Sequence, residues 1–392
     1  MGTQFLKKNC PDSKSDLFAA FMERCTDLAV PGGAVAMITM QSWMFLSSYE
    51  KLRKSLLEKQ HISSMLHLGA RAFDSIGGEV VSSTAFVLTN QRAESLREDS
   101  ARRGAYIRLV DGSSEQEKIA SLNIALSERT SEGDFYLASS SDFSMVPGSP
   151  IVYWLSEKTR AAFSEGHPLK QFAAAQLGMR TGNNEKYLRQ WWEVSNDATV
   201  FEAGSADEAD QPDHRWVPYN KGGSFRKWSG NREYVVFWEN NGFAIKEETL
   251  RKYPQLSWDN LGWKISNEDS FFRPSVSWSK VSSGAPAFRE YDRGFIFDVA
   301  GTSFFPKDSI DRRVMMGVCN SSTALTFLQA LSPTMNFEVG QVAVIPIVLP
   351  SEEGGVRRIV DQLVQTASRD WDSDESSWGF MGNPLITRRS EG

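Results

Sequence analysis

The sequence predicts an α/β fold at its start followed by a mixed, β-rich α+β region, and three observations carry that division. Between Gly32 and Asn90, three short β-type runs are separated by a charged amphipathic helix and a Gly-rich loop. Eight of the chain's 12 tryptophans fall between Trp191 and Trp278, in a stretch broken by Gly and Asn with little helical periodicity. At 392 residues the chain exceeds the roughly 250 to 300 residues at which single cores stop growing, so two folded domains are expected.

Lys14 to Leu28 predicts a helix, because Leu17, Phe18, Phe21, Cys25 and Leu28 recur at helical spacing and Pro31-Gly32-Gly33 breaks the pattern. Val35 to Thr39 is an apolar run of buried-strand length, and Ser47 to Glu58 places Tyr49, Leu52, Leu56 and Leu57 on one helical stripe. Ile62 to Leu68 and Thr84 to Leu88 supply two further strands. This order matches the last part of a doubly wound sheet, with too few strands to complete one. Half of a parallel sheet is expected to expose an apolar edge and face around Val35 to Ile38. Residues 106–172 read as a connector, with a strand at Ala105 to Val110, a charged helix near Glu115 to Ala125 and a turn at Val146-Pro147-Gly148. Later helices are expected at Thr323 to Leu331 and Val356 to Thr366. The expected domains are 1–150, 151–350 and a helical, acidic tail at 351–392.

Composition narrows the function classes. The three cysteines and four histidines lack the spacing of a disulfide framework or a metal site, which fits a reduced, cytoplasmic setting. No apolar run approaches the roughly 20 residues that span a bilayer, so no membrane association is expected. The net charge of −6 argues against simple electrostatic binding to nucleic acid. It is unevenly distributed: Ser195 to Asp213 holds six acidic residues and no Lys or Arg, whereas His214 to Arg313 holds 16 basic against 12 acidic residues. A modestly basic module is compatible with an acidic total, as is a solvated surface.

Specific segments go further than composition. FLKKNCPDSKSDLFAAFMERC at Phe5 to Cys25, QLGMRTGNNEKYLRQWWE at Gln176 to Glu193, VPYNKGGSFRKWSGN at Val217 to Asn231, SPTMNFEVGQVAVIPI at Ser332 to Ile347 and DWDSDESSWGF at Asp370 to Phe380 resemble the PglX family. These are the large adenine-specific DNA methyltransferases of BREX phage-defence systems, and the resemblance covers nearly the whole chain. It implies a partial Rossmann-like methyltransferase sheet, comprising the fifth to seventh strands, followed by a β-rich DNA target-recognition domain. It further implies S-adenosylmethionine as cofactor of the complete enzyme, double-stranded DNA as substrate, and a start just downstream of the catalytic N-P-P-Y tetrapeptide. The cofactor loop is then expected ahead of Met1. Neither N-P-P-Y nor D-P-P-Y occurs in the chain, and Gly382-Asn383-Pro384-Leu385 lacks the second proline and the aromatic. Turnover by this chain alone is therefore not expected.

Phe73, within GARAFDSIGGEV, occupies the position where related enzymes carry an aromatic that stacks on the flipped adenine; as ordinary core it would pack beneath the following loop. Gly69, Gly77 and Gly78 would let the backbone approach a nucleotide. Gly32-Gly33 and Gly77-Gly78 lack dinucleotide-type spacing and otherwise read as turns. Arg180, Thr181, Asn183 and Asn184 form a donor-rich turn suited to phosphate or base edges, or a capped entry into a helix holding Lys186 to Trp192.

Tyr219 to Trp228 gathers three cations, two glycines and three aromatics in ten residues. Asn220, Lys221, Arg226, Lys227 and Trp228 are its DNA-contact candidates, against a hairpin surface in which Arg stems cover tryptophan faces. Lys280, Arg289 and Arg293 are further candidates. Neither a G-x-S-x-G elbow nor carboxylates clustered for metal-dependent cleavage are evident. A non-catalytic DNA-recognition subunit working with a separate N-terminal half, or with other BREX components, is the competing reading. A restriction-modification fragment is the third.

Overall fold

The computed structural model describes residues 2–75, 81–90, 102–282, 284–332, 336–383 and Ile386. The chain divides into two compact units, Met1–Glu165 and Gly166–Gly392.

In the first unit, α1 (Gly2–Asn9) and α2 (Leu17–Leu28) precede β1 (Ala34–Met40), α3 (Glu50–Lys59), β2 (Gln60–Gly69) and β3 (Ser83–Asn90). The helix expected from Lys14 starts three residues later because Asp16, its N-cap, is extended at φ −155° and ψ 156°. Then come β4 (Arg103–Arg108), α4 (Glu115–Glu128), β5 (Phe135–Ser139), α5 (Ser140–Ser144) and α6 (Glu157–Glu165). The five strands form one sheet in the order β1-β3-β2-β4-β5. Strand β3 is antiparallel to both β1 and β2, so those two run the same way, and β4 is parallel to β2. The stretch expected to be a connector thus contributes β4 and β5 to the sheet. Their partners, Ser64 for Ala105 and Leu137 for Ala105 on the other side, are distant in sequence and invisible to local periodicity.

Burial explains why α3 sits where it does. Trp43 and Met44 are fully buried after β1, and the Trp43 ring meets Phe86 of β3 at 5.2 Å. Arg53, 1% exposed on a helix that reads as charged, donates to the carbonyls of Trp43 at 2.9 Å, Leu46 at 2.6 Å and Gly148 at 2.9 Å. Burial lowers its pKa to about 10. Strand β1 is an edge: register places Ile38 beside Ala85, and Ala85 beside Leu66, on one face. At Leu66 and Leu68 that face packs with Leu122 and Ala125 of α4, while Ile38 is 61% exposed. Of the apolar exposure expected around Val35 to Ile38, Ala36 and Ile38 show it on this face, whereas Val35 points the other way and is buried.

Among the described residues the second unit holds three sheets. Strands β13 (Ile296–Phe297), β9 (Trp216–Asn220), β10 (Tyr234–Phe237) and β8 (Leu188–Gln190) form one in that order; β12 (Phe288–Tyr291), β11 (Ser275–Trp278), β14 (Ser303–Pro306) and β7 (Ala173–Gln176) form another; β15 (Pro346–Ile347) pairs with β6 (His167–Pro168). The expected helix from Lys186 to Trp192 is only α7 (Asn184–Tyr187), because Leu188 to Gln190 are taken into β8 by pairing with β10. The acidic stretch contains α8 (Ala206–Ala209), and α9 (Glu239–Lys252) opens with Asn240, Asn241 and Gly242 at positive φ. Helices α10 (Arg312–Cys319), α11 (Ser322–Leu331), α12 (Val339–Val342) and α13 (Glu353–Trp371) complete the unit. Arg313 joins three of these elements, donating to both carboxylate oxygens of buried Glu290 on β12 at 2.8 and 2.9 Å and to Asp361 on α13 at 2.6 Å. No single helix among the described residues is long and apolar enough to cross a membrane; helices α10 and α11 reach that length only as a bent pair, in which Val314, Met315, Met316, Phe327, Leu328 and Leu331 are buried.

Candidate nucleic-acid interface

Strands β1, β2 and β4 run parallel, so their carboxyl ends share one edge of the first sheet, the edge at which α/β sheets hold ligands. Phe73 lies on the loop leaving β2 at that edge and is 38% exposed. The loop is anchored next door: the Asp74 N–H donates to Glu115 Oε1 at 2.7 Å, and the Glu115 N–H donates to Asp74 Oδ1 at 3.1 Å. Glu115 is the first residue of α4, where unsatisfied N–H groups favour a carboxylate. Gly77 and Gly78 lie outside the described residues.

Behind the loop the edge is filled. Lys118, 4% exposed, donates to the Leu68 carbonyl at 2.7 Å and the Leu109 carbonyl at 2.8 Å, and burial lowers its pKa. Gly69 is at φ 68°, and a Cβ there would lie 3.0 Å from Val110. His67 is buried between Tyr153 (Nδ1 to hydroxyl, 3.0 Å) and Gln41 (Nε2 to Oε1, 2.8 Å). With Gln41 Oε1 accepting, Nε2 carries the proton and the Tyr153 hydroxyl donates to Nδ1. Burial first, then the charges of Arg108 and Lys118, lower the His67 pKa to about 4, so the ring is neutral. Trp154 stacks on it at 6.0 Å.

The turn after β1 offers no cradle for S-adenosylmethionine. Trp43 and Met44 occupy it, and the Arg53 guanidinium consumes carbonyls at Trp43 and Leu46.

In the second unit the candidates separate by what holds them. Asn220 and Arg289 are 1% and 0% exposed. Asn220 donates to Ser277 Oγ at 2.7 Å and the Gly301 carbonyl at 3.0 Å, linking the two four-stranded sheets; Arg289 donates to Ser279 Oγ at 2.9 Å. These two side chains have no surface left for nucleic acid and serve as framework. Lys221 pairs with buried Asp298 at 2.7 Å, Arg226 with Asp370 at 2.9 Å while lying over Trp371, and Lys280 with Glu338 at 3.0 Å. Lys227 donates to the Asn320 carbonyl at 3.1 Å, and Arg293 stands 3.7 Å from Glu202 with both side chains largely exposed. Trp228, half-buried at φ 76°, has its backbone paired across Arg289.

The turn from Arg180 to Asn184 is the part least absorbed by the fold. Asn183 caps α7 by accepting the Lys186 N–H at 3.1 Å, and the buried Thr181 hydroxyl donates to Asn184 Oδ1 at 2.5 Å. Arg180 lies over Trp263 at 5.1 Å, and Lys264 over the same ring at 3.9 Å. Trp263, Lys264 and Tyr253 escape a sequence reading because they stand some seventy to eighty residues from the turn they join. The tryptophan in GWK, beside a lysine and a glycine, is the one local signal.

Similarity to known proteins defines the class to which the chain is related. Residues 2–73 match the family model of the Eco57I restriction-modification methylase. The fold resembles the Type IIL restriction-modification enzyme MmeI, at a TM-score of 0.55 and 11% identity over 94% of this chain and 47% of that one, which is likeness of fold alone. The sequence is closer to named relatives. It is 38% identical over 389 residues to the adenine-specific methyltransferase PglX of Lacticaseibacillus casei (strain Zhang), covering 99% of this chain and 31% of that protein. It is 33% identical over 388 residues to the adenine-specific methyltransferase BrxX of Escherichia coli O9:H4 (strain HS), covering 98% of this chain and 29% of that protein. The chain is thus a homologue, over nearly its whole length, of PglX-type adenine-specific methyltransferases, and spans about three tenths of their length.

Proposed function

We propose that this chain carries the base-holding edge and the DNA-reading part of a PglX-type adenine-specific DNA methyltransferase acting in BREX phage defence. In this reading the first unit is the back part of a Rossmann-like methyltransferase domain, and the second is the target-recognition domain that grips double-stranded DNA. The observation that carries it is Phe73: a large aromatic, exposed, on the loop leaving the carboxyl end of β2 and fastened to α4 through Asp74 and Glu115. An exposed aromatic fixed at a ligand-binding edge suits stacking on an adenine turned out of the duplex. Two parallel strands with an antiparallel strand between them, reached through a helical crossover, support the methyltransferase-sheet reading.

Arg180, Asn183 and Asn184 are the proposed DNA contacts in the second unit, with Lys221, Arg226, Lys227, Lys280 and Arg293 reaching DNA by exchanging their present acidic or carbonyl partners for phosphates. S-adenosylmethionine would bind to a polypeptide segment other than the described residues.

The test is transfer of radiolabelled methyl groups from S-adenosylmethionine to host DNA. The chain alone should give none, and the chain mixed with a companion polypeptide carrying N-P-P-Y should give incorporation. Phe73→Ala should lower that incorporation about fivefold or more, since stacking on one base contributes roughly 1 to 3 kcal/mol. Undiminished transfer by Phe73→Ala would remove the stacking role.

A further inference from the structure

Two cations share one indole in the second unit. The Arg180 guanidinium lies 5.1 Å from the Trp263 ring centre, and the Lys264 ammonium lies 3.9 Å from that ring and 4.1 Å from the ring of Tyr253. Backbone contacts build the arrangement. The Arg180 N–H donates to the Lys264 carbonyl at 2.7 Å, and Arg180 Nη1 donates to the Trp263 carbonyl at 2.6 Å. Lys252, at the end of α9, donates to the Gly182 carbonyl at 3.3 Å and ties the same turn from a third side.

Neither Arg180 nor Lys264 forms an ion pair among the described residues, in contrast to Lys221, Arg226, Lys280 and Arg313. Lys264 is 9% exposed and rests its ammonium on two aromatic faces, one of which it shares with Arg180. Aromatic faces attract a cation but supply no net counter-charge. An anion would.

The chemistry around the pair selects the anion. A guanidinium steadied on an indole keeps its remaining donors in a fixed plane that matches phosphate oxygens, and the ammonium adds a point charge. Trp263 is 55% exposed, and on the same loop Trp258 is 52% exposed and stacks on Phe243 at 5.3 Å. Flat apolar rings beside unpaired cations suit a sugar-phosphate backbone, whose sugars and bases offer flat partners between charges. A free inorganic anion or an acidic peptide would use the cations and leave the rings idle.

We propose that Arg180 and Lys264, mounted on Trp263, form a phosphate-contact site for the backbone of double-stranded DNA. The proposal rests on the DNA-recognition reading above and adds Lys264, Trp263 and Tyr253 to it.

The test is the salt dependence of duplex DNA binding by the full chain, comparing the unaltered protein with Arg180→Gln, Lys264→Gln, the double variant and Lys158→Gln as an exposed control in the first unit. Circular dichroism and thermal melting establish that each variant is folded. Each single variant should bind more weakly to every duplex and lower the slope of log K against log salt by about one, the double variant by about two, with Lys158→Gln unchanged. If the unaltered chain binds DNA and folded variants keep its slope, the phosphate site is wrong while DNA recognition stands. If the unaltered chain binds no DNA, the recognition reading itself fails. Calorimetric titration with inorganic phosphate separates the remaining source: saturable phosphate binding lost in the variants, with an unchanged DNA slope, would make a free phosphate group the ligand and overturn the DNA assignment.

Discussion

Asp74 and Glu115 satisfy each other across the first unit, each side chain accepting the other's backbone N–H, at 3.1 and 2.7 Å. Because Phe73 immediately precedes Asp74, this exchange fixes where the aromatic stands relative to the sheet. The expected consequence of Asp74→Ala is local: hydrogen exchange in residues 70–75 accelerates, while global stability falls by only about 1 kcal/mol, as for loss of a helix-terminal acceptor. Unchanged exchange in that loop would show that something else holds it.

His67 makes stability depend on pH over a defined window. Its pKa is about 4 in the folded chain against an ordinary 6.5, so between those values the unfolded state binds more protons. Stability therefore falls as pH drops from about 6.5 toward 4, by about 3 kcal/mol in all, and is fully present above 6.5. Urea unfolding at stepped pH should give that loss, and His67→Gln should flatten it whatever the variant's absolute stability. Parallel pH profiles for the two proteins would contradict a neutral, buried imidazole.

Glu290 is 3% exposed and accepts from Arg313 at both oxygens, with Arg312 3.5 Å from one of them. Removing Arg313 takes away both short bonds to the buried carboxylate and leaves only the longer Arg312 contact, so Arg313→Ala should cost about 3 kcal/mol in denaturant unfolding. The double variant Glu290→Leu with Arg313→Leu should cost less than the single one. A larger loss in the double variant would mean that the pair stabilises by more than mutual neutralisation.

Gly178 tests how the basic turn is seated. A Cβ there would lie 1.7 Å from the Phe297 carbonyl oxygen, against backbone that cannot rotate away. Gly178→Ala should cost about 3 kcal/mol or more, by overpacking, and weaken DNA binding through displacement of Arg180. A variant as stable as the parent would show that the turn and β13 separate easily.

These contacts show what could be read from the sequence and what could not. Strands β1, β2 and β3 and helix α3 were legible because an apolar run or a helical stripe is a local property, and Val35, Leu52, Leu56 and Ile62 are indeed core. The strand expected at Ala105 to Val110 is present as β4, but its place in the sheet, and β5 altogether, escaped because they depend on partners far along the chain. Residue type suggested Asn220 and Arg289 as DNA contacts, yet type does not report burial, and both proved to be internal struts. Conversely, Lys264 and Trp263 looked unremarkable until the fold set them against Arg180. Phe73 is a candidate through family resemblance alone, since nothing in its own segment separates a stacking aromatic from a core one.

Whether this chain reads DNA is tested most directly by its binding to host duplex DNA across a salt series, with and without S-adenosylmethionine. The expected result is binding whose log K falls linearly with log salt and does not respond to the cofactor, as for a recognition module apart from a cofactor site. Absence of binding at low salt by the folded chain would contradict a DNA-recognition role.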